Sequence, residues 1–171
     1  MGRLIPSKIS IIIDTREKQP LFTEGDRDFD IITRKLDTGD YSISGFENLV
    51  IIERKQDINE LYACFTSQRK RFFNEIDRMM QYPLRFLVIG SHYTELFNPL
   101  SYKVKGWRSR SEIEVKKSAV AITSASVDSL RIKNNIHVIF AGNKINQVVR
   151  NLIKRIVACK EELRAKYERT T

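Results

Sequence analysis

The residues best suited to chemistry lie in two short blocks, Gly39-Asp40-Tyr41 and Ile52-Glu53-Arg54-Lys55. Gly45-Phe46-Glu47-Asn48 between them reads as the turn of a hairpin. Pairing Ser44 with Leu49 across that turn aligns 43 with 50, 42 with 51, 41 with 52 and 40 with 53, so Asp40 and Glu53 are expected side by side. Side chains alternate along a strand, which puts Glu53 and Lys55 on one face and Arg54 on the other. Two carboxylates and an ammonium around one concavity suit a hard divalent cation such as Mg²⁺. That ion takes oxygen ligands, keeps several waters and is commonly held by one or two carboxylates plus substrate phosphates. It activates water and stabilises charge on a phosphoryl group, with Lys55 placed to position or deprotonate the water or to neutralise the transition state. Taken alone, the same residues also fit a turn-capping Asp40 and a solvated strand edge carrying Glu53 and Lys55.

Upstream, the run Ile11-Ile12-Ile13-Asp14-Thr15-Arg16-Glu17 ends a predicted buried strand in an acid. In order, the blocks Asp-x-Arg-Glu, Gly-Asp-Tyr and Ile-Glu-Arg-Lys resemble the XPF-type nuclease domain of structure-specific DNA endonucleases, most closely over residues 1–90 and more weakly to the C-terminus. The resemblance implies a restriction-endonuclease-like α/β core, with a mixed central β-sheet flanked by helices. It implies Mg²⁺- or Mn²⁺-dependent hydrolysis of DNA phosphodiesters at branched or flap-like junctions, and partners that include a second copy in a homodimer. Carried over residue by residue, Asp40, Glu53 and Asp14 would hold the metal, and Glu17 would be a further active-site acid. Lys55 would serve the attacking water, Arg54 the fold or a phosphate, and Arg16 a phosphate or a neighbouring acid. The chain departs from the family pattern after Glu-Arg-Lys, where the expected Asp is Asn59; Asp57 lies two residues early and Glu60 one residue late, and Glu60-Leu61 aligns if one residue is inserted. Near the start of a helix, Asp57 and Glu60 also have a purely structural reading through the helix dipole. A domain that keeps the fold but acts only in DNA binding or in regulating another enzyme is the alternative.

The elements that must position these groups alternate between strands and helices. Ile9 to Asp14 is an isoleucine-rich strand, Gln19 to Asp28 an exposed loop near the site, and Phe29 to Leu36 a second extended segment. Apolar residues at helical spacing predict one long helix from Ile58 to Gln81, ended by Pro83. Its Gln68-Arg69-Lys70-Arg71-Phe72 cluster resembles the family's arginine-bearing helix, which makes Arg69 and Arg71 DNA-binding candidates; a solvated helix face explains them equally well. Leu84 to Ile89 is a core strand and Ser91 to Phe97 a short helix. Lys103, Lys105, Arg108 and Arg110 surround Trp107 in the most basic loop. Aromatic and cationic groups together grip single strands, although a lone tryptophan is more often core, so the four cations are the stronger candidates. Glu112 to Lys133 is predicted helical, His137 to Phe140 a buried strand with His137 packed in the core, and Ile145 to Tyr167 a closing helix. The sheet should hold five or six strands.

Composition narrows the alternatives. The 171 residues, 42% hydrophobic and 30% charged, are globular in character, and we expect a single nuclease domain over 1–171 without a helix-hairpin-helix tail. No apolar run suggests a membrane span and no leader pattern opens the chain, so an intracellular, cytoplasmic protein of prokaryotic or phage type is expected. Cys64 and Cys159 have no metal-ligand spacing and read as reduced core residues; with His92 and His137 they are too few for a structural zinc site. The net charge of +9 is uneven, −1 over residues 1–100 and +10 over 101–171, which suits a chain that holds cations in one half and meets a polyanion with the other.

Overall fold

The structure is a computed structural model that describes residues 8–105 and 110–167. Six strands form one mixed sheet: β1 (Ile9–Ile13), β2 (Phe29–Thr33), β3 (Tyr41–Ile43), β4 (Val50–Lys55), β5 (Leu84–Ile89) and β6 (His137–Phe140), in the order β2-β1-β3-β4-β5-β6. The central pairs β1/β3 and β3/β4 are antiparallel, while β1/β2, β4/β5 and β5/β6 are parallel. Parallel neighbours need a crossover. Between β4 and β5 it is supplied by α1 (Ile58–Phe65) and α2 (Arg69–Met79), and between β5 and β6 by α3 (Glu112–Lys133); α4 (Ile145–Ala158) and α5 (Lys160–Tyr167) follow β6.

Strand alternation divides the apolar residues between two cores. Ile12, Ile51, Leu87 and Ile89 pack under α1, α2 and α3, whereas Ile11, Ile13, Tyr41, Ile43, Val50, Ile52, Phe86 and Val88 pack on the face covered by α4. The same parity sends Asp14, Asp40, Glu53 and Lys55 to the α1/α2 face, because each lies an even number of residues from Ile12, Ser42 or Ile51. Beyond the last apolar residue of β4 the two cores no longer meet, and a cleft opens.

The hairpin has the expected register, with Tyr41 opposite Ile52. Its loop end differs: Ser44 N donates to Ser10 O of β1 rather than pairing with Leu49, and Phe46 closes the turn through Ile43 O and Leu49 N. Instead of the single helix expected over 58–81, α1 and α2 are separated at Thr66–Gln68. Thr66 Oγ1 donates to Tyr62 O at 2.8 Å and Gln68 N to Ala63 O at 2.9 Å, ending α1. The break lets the Phe65 and Phe72 rings meet edge to face, 5.6 Å apart. The C-terminal helix is likewise two, with Cys159 N donating to the last carbonyls of α4.

One further expectation is corrected. His137 is exposed rather than packed in the core, and it stacks on Phe86 at 5.1 Å at the open end of β6. The 19–28 segment is the exposed loop expected, and it is pinned at its far end. Arg150 of α4 donates to Asp26 and Asp28 at 2.7 Å, lies 5.0 Å over both Phe22 and Phe29, and is joined by Lys154 on Asp28 at 2.9 Å. These groups hold the Asp26 carboxyl well below the usual carboxylate range, with the Arg150 hydrogen bond as the largest cause. Cys64 is buried, Cys159 half-buried, and both are free thiols. Among the described residues no helix is long and apolar enough to cross a membrane.

Candidate active site

The cleft, about 510 Å³, is lined on the sheet side by Asp14, Asp40, Glu53 and Lys55 and on the helix side by Glu60, Arg71, Glu75 and Arg78. Gly39 sets the approach to its floor. It has φ +72, where an L side chain is strained, and a Cβ there would come within 2.5 Å of Ile51 Cγ1. Glycine therefore lets the Asp40 backbone sit on β4, where Asp40 N donates to Ile52 O at 2.9 Å and Asp40 Oδ2 accepts from Arg54 N at 2.8 Å.

Glu53 is 3% exposed. Its Oε1 accepts a hydrogen bond from Lys55 Nζ, and its Oε2 is buried without a hydrogen-bond partner. Burial is the largest force on this carboxyl and the neighbouring Asp40 charge the next, and together they push it well above the usual range despite Lys55. Burial likewise lifts Asp40 to about 6, against the Arg54 amide that lowers it. Lys55 feels the opposite balance: burial disfavours its charge, but the Glu53 carboxylate outweighs it and holds the ammonium protonated. Its Nζ also lies 5.5 Å from the Phe72 ring centroid and 3.9 Å from Glu60. The floor thus holds two carboxyls whose charged forms the protein donors do not fully compensate.

The resemblance implies a divalent cation, and this donor set fits one of a particular kind. The buried, unpartnered Glu53 Oε2 next to Asp40 is a hard oxygen site. Among the described residues no group of three or more His, Cys, Asp or Glu is arranged to hold a metal. Two carboxylates leave most positions to water and substrate oxygens, which is the habit of Mg²⁺ and not of a closed structural site.

The other expected residues are distributed as follows. Asp14 has both oxygens engaged: Oδ1 accepts from Arg16 N at 2.8 Å and Arg16 Nε at 2.6 Å, and Oδ2 accepts from Leu36 N at 2.6 Å. These hydrogen bonds outweigh burial and lower its pKa. Arg16 also donates to Leu36 O at 2.8 Å, so Asp14 and Arg16 lock the end of β1 to the 34–36 segment at the cleft rim. Glu17 pairs with Arg54 at 3.2 Å and accepts from Gln19 N at 2.8 Å. Asn59, where the family pattern has an acid, turns away from the cleft. Its Nδ2 donates to Ser101 O at 3.1 Å and its Oδ1 accepts from Lys103 N at 2.7 Å. Asp57 caps α1 by accepting from Asn59 N and Glu60 N. Glu60 is the acid that reaches the cleft, where its Oε2 accepts from Gln56 N at 2.6 Å.

Of the described DNA-binding candidates, only Arg16 and Arg71 line the cleft. Arg69 is exposed and lies over the Phe73 ring at 4.8 Å. Lys103 and Lys105 are exposed, Arg110 donates to Ser118 Oγ at 2.6 Å, and Arg108 and Trp107 lie outside the described residues. Two cleft residues, Glu75 and Arg78, were not singled out from the sequence. Their spacing from Arg71, four and seven residues, marks one helix face, but an alternating-charge face reads first as a solvent-facing ion-paired surface.

No protein-family model matches the sequence, and no curated protein matches it at a significant level. Solved structures do match in three dimensions. XPF from Aeropyrum pernix in complex with DNA aligns with a TM-score of 0.58 at 17% identity, covering 88% of this chain and 66% of that one. A second structure of XPF from the same organism aligns with a TM-score of 0.55 at 17% identity, covering 86% and 61%. The chain spans less than two thirds of the length of either. At this identity the likeness is one of fold: this chain's mixed six-stranded sheet flanked by helices superposes on both XPF structures.

Proposed function

We propose that the chain is a divalent-cation-dependent endonuclease that hydrolyses DNA phosphodiester bonds at branched or flap-like junctions, using Mg²⁺ or Mn²⁺. One observation carries the reading: a buried glutamate, Glu53, keeps one oxygen unpartnered beside a second, half-buried carboxylate, Asp40. A buried, unsatisfied carboxylate oxygen calls for a partner, and in a cleft lined by other acids a bound cation is one that fits. The fold shared with an XPF solved on DNA supports the choice of substrate.

Asp40 and Glu53 would hold the cation, which when bound supplies a Lewis acid and a lowered pKa for water. Lys55, tied to Glu53 Oε1, orients that carboxylate and sets a positive charge beside the reacting phosphate. Arg54 and Glu17 pair within the cleft lining, with Tyr41 hydroxyl 3.5 Å from Glu17 and accepting from Leu21 N at 3.0 Å. Asp14 and Arg16 stiffen the rim. Arg71 and Arg78 offer cations to the flanking phosphates. Self-association, also implied by the resemblance, would draw on the exposed Tyr93, Phe97 and Leu100.

Purified protein is to be incubated with a panel of flaps, forks and four-way junctions in Mg²⁺, Mn²⁺ or EDTA. The reading requires nicks in either metal, none in EDTA, and loss of at least a hundredfold in rate in Glu53→Gln. Binding to the panel without cleavage in any metal would replace it with a non-catalytic DNA-binding domain.

A further inference from the structure

Six carboxylates line the cleft: Asp14, Glu17, Asp40, Glu53, Glu60 and Glu75. Five are committed. Asp14 is held by Arg16 and Leu36 N, Glu17 by Arg54, Glu60 by Gln56 N, Asp40 by Arg54 N and Glu53 by Lys55. Of these six, the Glu75 carboxylate alone has no hydrogen bond or ion pair, even though Arg71 and Arg78 stand four and three residues away on the same helix face. An i,i+4 ion pair is the ordinary fate of such a glutamate. Here Arg78 instead donates to Asp37 O at 3.2 Å.

Its placement is fixed from both sides. Thr38 Oγ1 donates to Glu75 O at 3.2 Å, fastening this turn of α2 to the corner that delivers Gly39 and Asp40. One turn earlier, Phe72 lies under the Lys55 ammonium. Glu75 is near enough for its charge to act on Asp40, Glu53, Lys55 and Arg16. It does not converge with Asp40 and Glu53 on one metal position, since no three acids do so among the described residues. It lines the same cleft from α2, whereas Asp40 and Glu53 line it from the sheet.

We propose that Glu75 is the general base of the hydrolysis, accepting a proton from the water that attacks the DNA phosphorus. This rests on the nuclease reading above and adds a residue to it. Lys55 Nζ is already donating to Glu53, which leaves the free carboxylate in the cleft as the acceptor. The water oxygen forms a bond to phosphorus and one of its protons passes to a Glu75 oxygen. The phosphorus–oxygen ester bond opposite the incoming oxygen breaks, and the leaving oxygen takes a proton from solvent. A positioned base of this kind is worth roughly 10²–10⁴-fold in rate.

The test compares single-turnover cleavage by wild type, Glu75→Gln, Glu75→Asp and Glu75→Ala, with Mn²⁺ affinity and DNA affinity in Ca²⁺ measured alongside. The expected result is a loss of about a hundredfold or more in Glu75→Gln with both affinities unchanged. Glu75→Asp should fall between, and added formate should restore part of the rate of Glu75→Ala, an effect that a merely structural glutamate cannot produce. Cleavage by Glu75→Gln within threefold of wild type overturns the proposal, as does a loss reversed by excess Mn²⁺, which would make Glu75 a cation ligand. Should Glu75→Gln fail to fold, Glu75→Asp and the formate arm decide. A wild type that cuts nothing refutes the nuclease reading itself, an outcome distinct from equal rates in wild type and variant.

Discussion

Asp40 and Lys55 give the sharpest consequences at the level of single residues. A carboxyl whose folded-state pKa lies above its unfolded value favours folding in acid. That contribution is complete below the ordinary Asp value of 3.8 and is lost as pH rises through about 6. For Asp40 the shift corresponds to up to about 3 kcal/mol. In metal-free buffer the thermal midpoint should therefore fall between pH 4 and pH 7, and Asp40→Asn should flatten that slope and melt higher than wild type at pH 7. Mg²⁺ should recover the lost stability in wild type and not in the variant; thermal melts across pH, with and without the ion, check both. Lys55 behaves oppositely. Truncating Lys55→Ala leaves Glu53 buried with neither oxygen partnered, a loss of about 3–5 kcal/mol by denaturant titration. Little of this was open to inspection of single positions. The proximity of Asp40 and Glu53 followed from strand parity, but the free Glu53 Oε2 and the idle Glu75 depend on which donors other elements bring, and Asn59 could be placed against Ser101 and Lys103 only once the chain had folded.

Among the elements, the β3/β4 hairpin was the most legible, because period-two alternation and a glycine-marked turn constrain register strongly. Its Gly39 is the point of greatest sensitivity. Gly39→Ala combines a positive φ with a clash against Ile51, and we expect at least about 2 kcal/mol of destabilisation with displacement of Asp40, measurable as parallel loss of stability and Mn²⁺ affinity. The limits of α3, β5 and β6 were readable from apolar periodicity and flanking turn residues. The continuous helix expected over 58–81 was not there, since Ser67 to Arg71 interrupt the apolar stripe and periodicity alone does not distinguish an interruption from a bend. That bend matters for the site: it turns α2 so that Phe72 meets Lys55 and the 71/75/78 face overlooks the carboxylates. The pinning of the 19–28 loop was also illegible, because Arg150 and Asp26 are 124 residues apart in the chain.

Over the whole molecule, two packed faces support one open end of the sheet, where an acidic floor is rimmed by Arg16, Arg71 and Arg78. Affinity for DNA should follow this distribution. Arg71→Ala and Arg78→Ala are each expected to weaken binding without regard to sequence and to reduce the slope of log K against log salt by about one. Fluorescence anisotropy over a salt series measures this, and an unchanged slope would take both residues off the phosphate path. The central claim concerns the floor itself, and it is tested most directly by calorimetric titration of Mn²⁺ into the free protein at pH 6 to 8, in buffers of different ionisation enthalpy. We expect one ion per chain, proton release that diminishes as pH rises, and at least tenfold weaker binding in both Asp40→Asn and Glu53→Gln. Equal Mn²⁺ affinity in wild type and both variants would contradict the account.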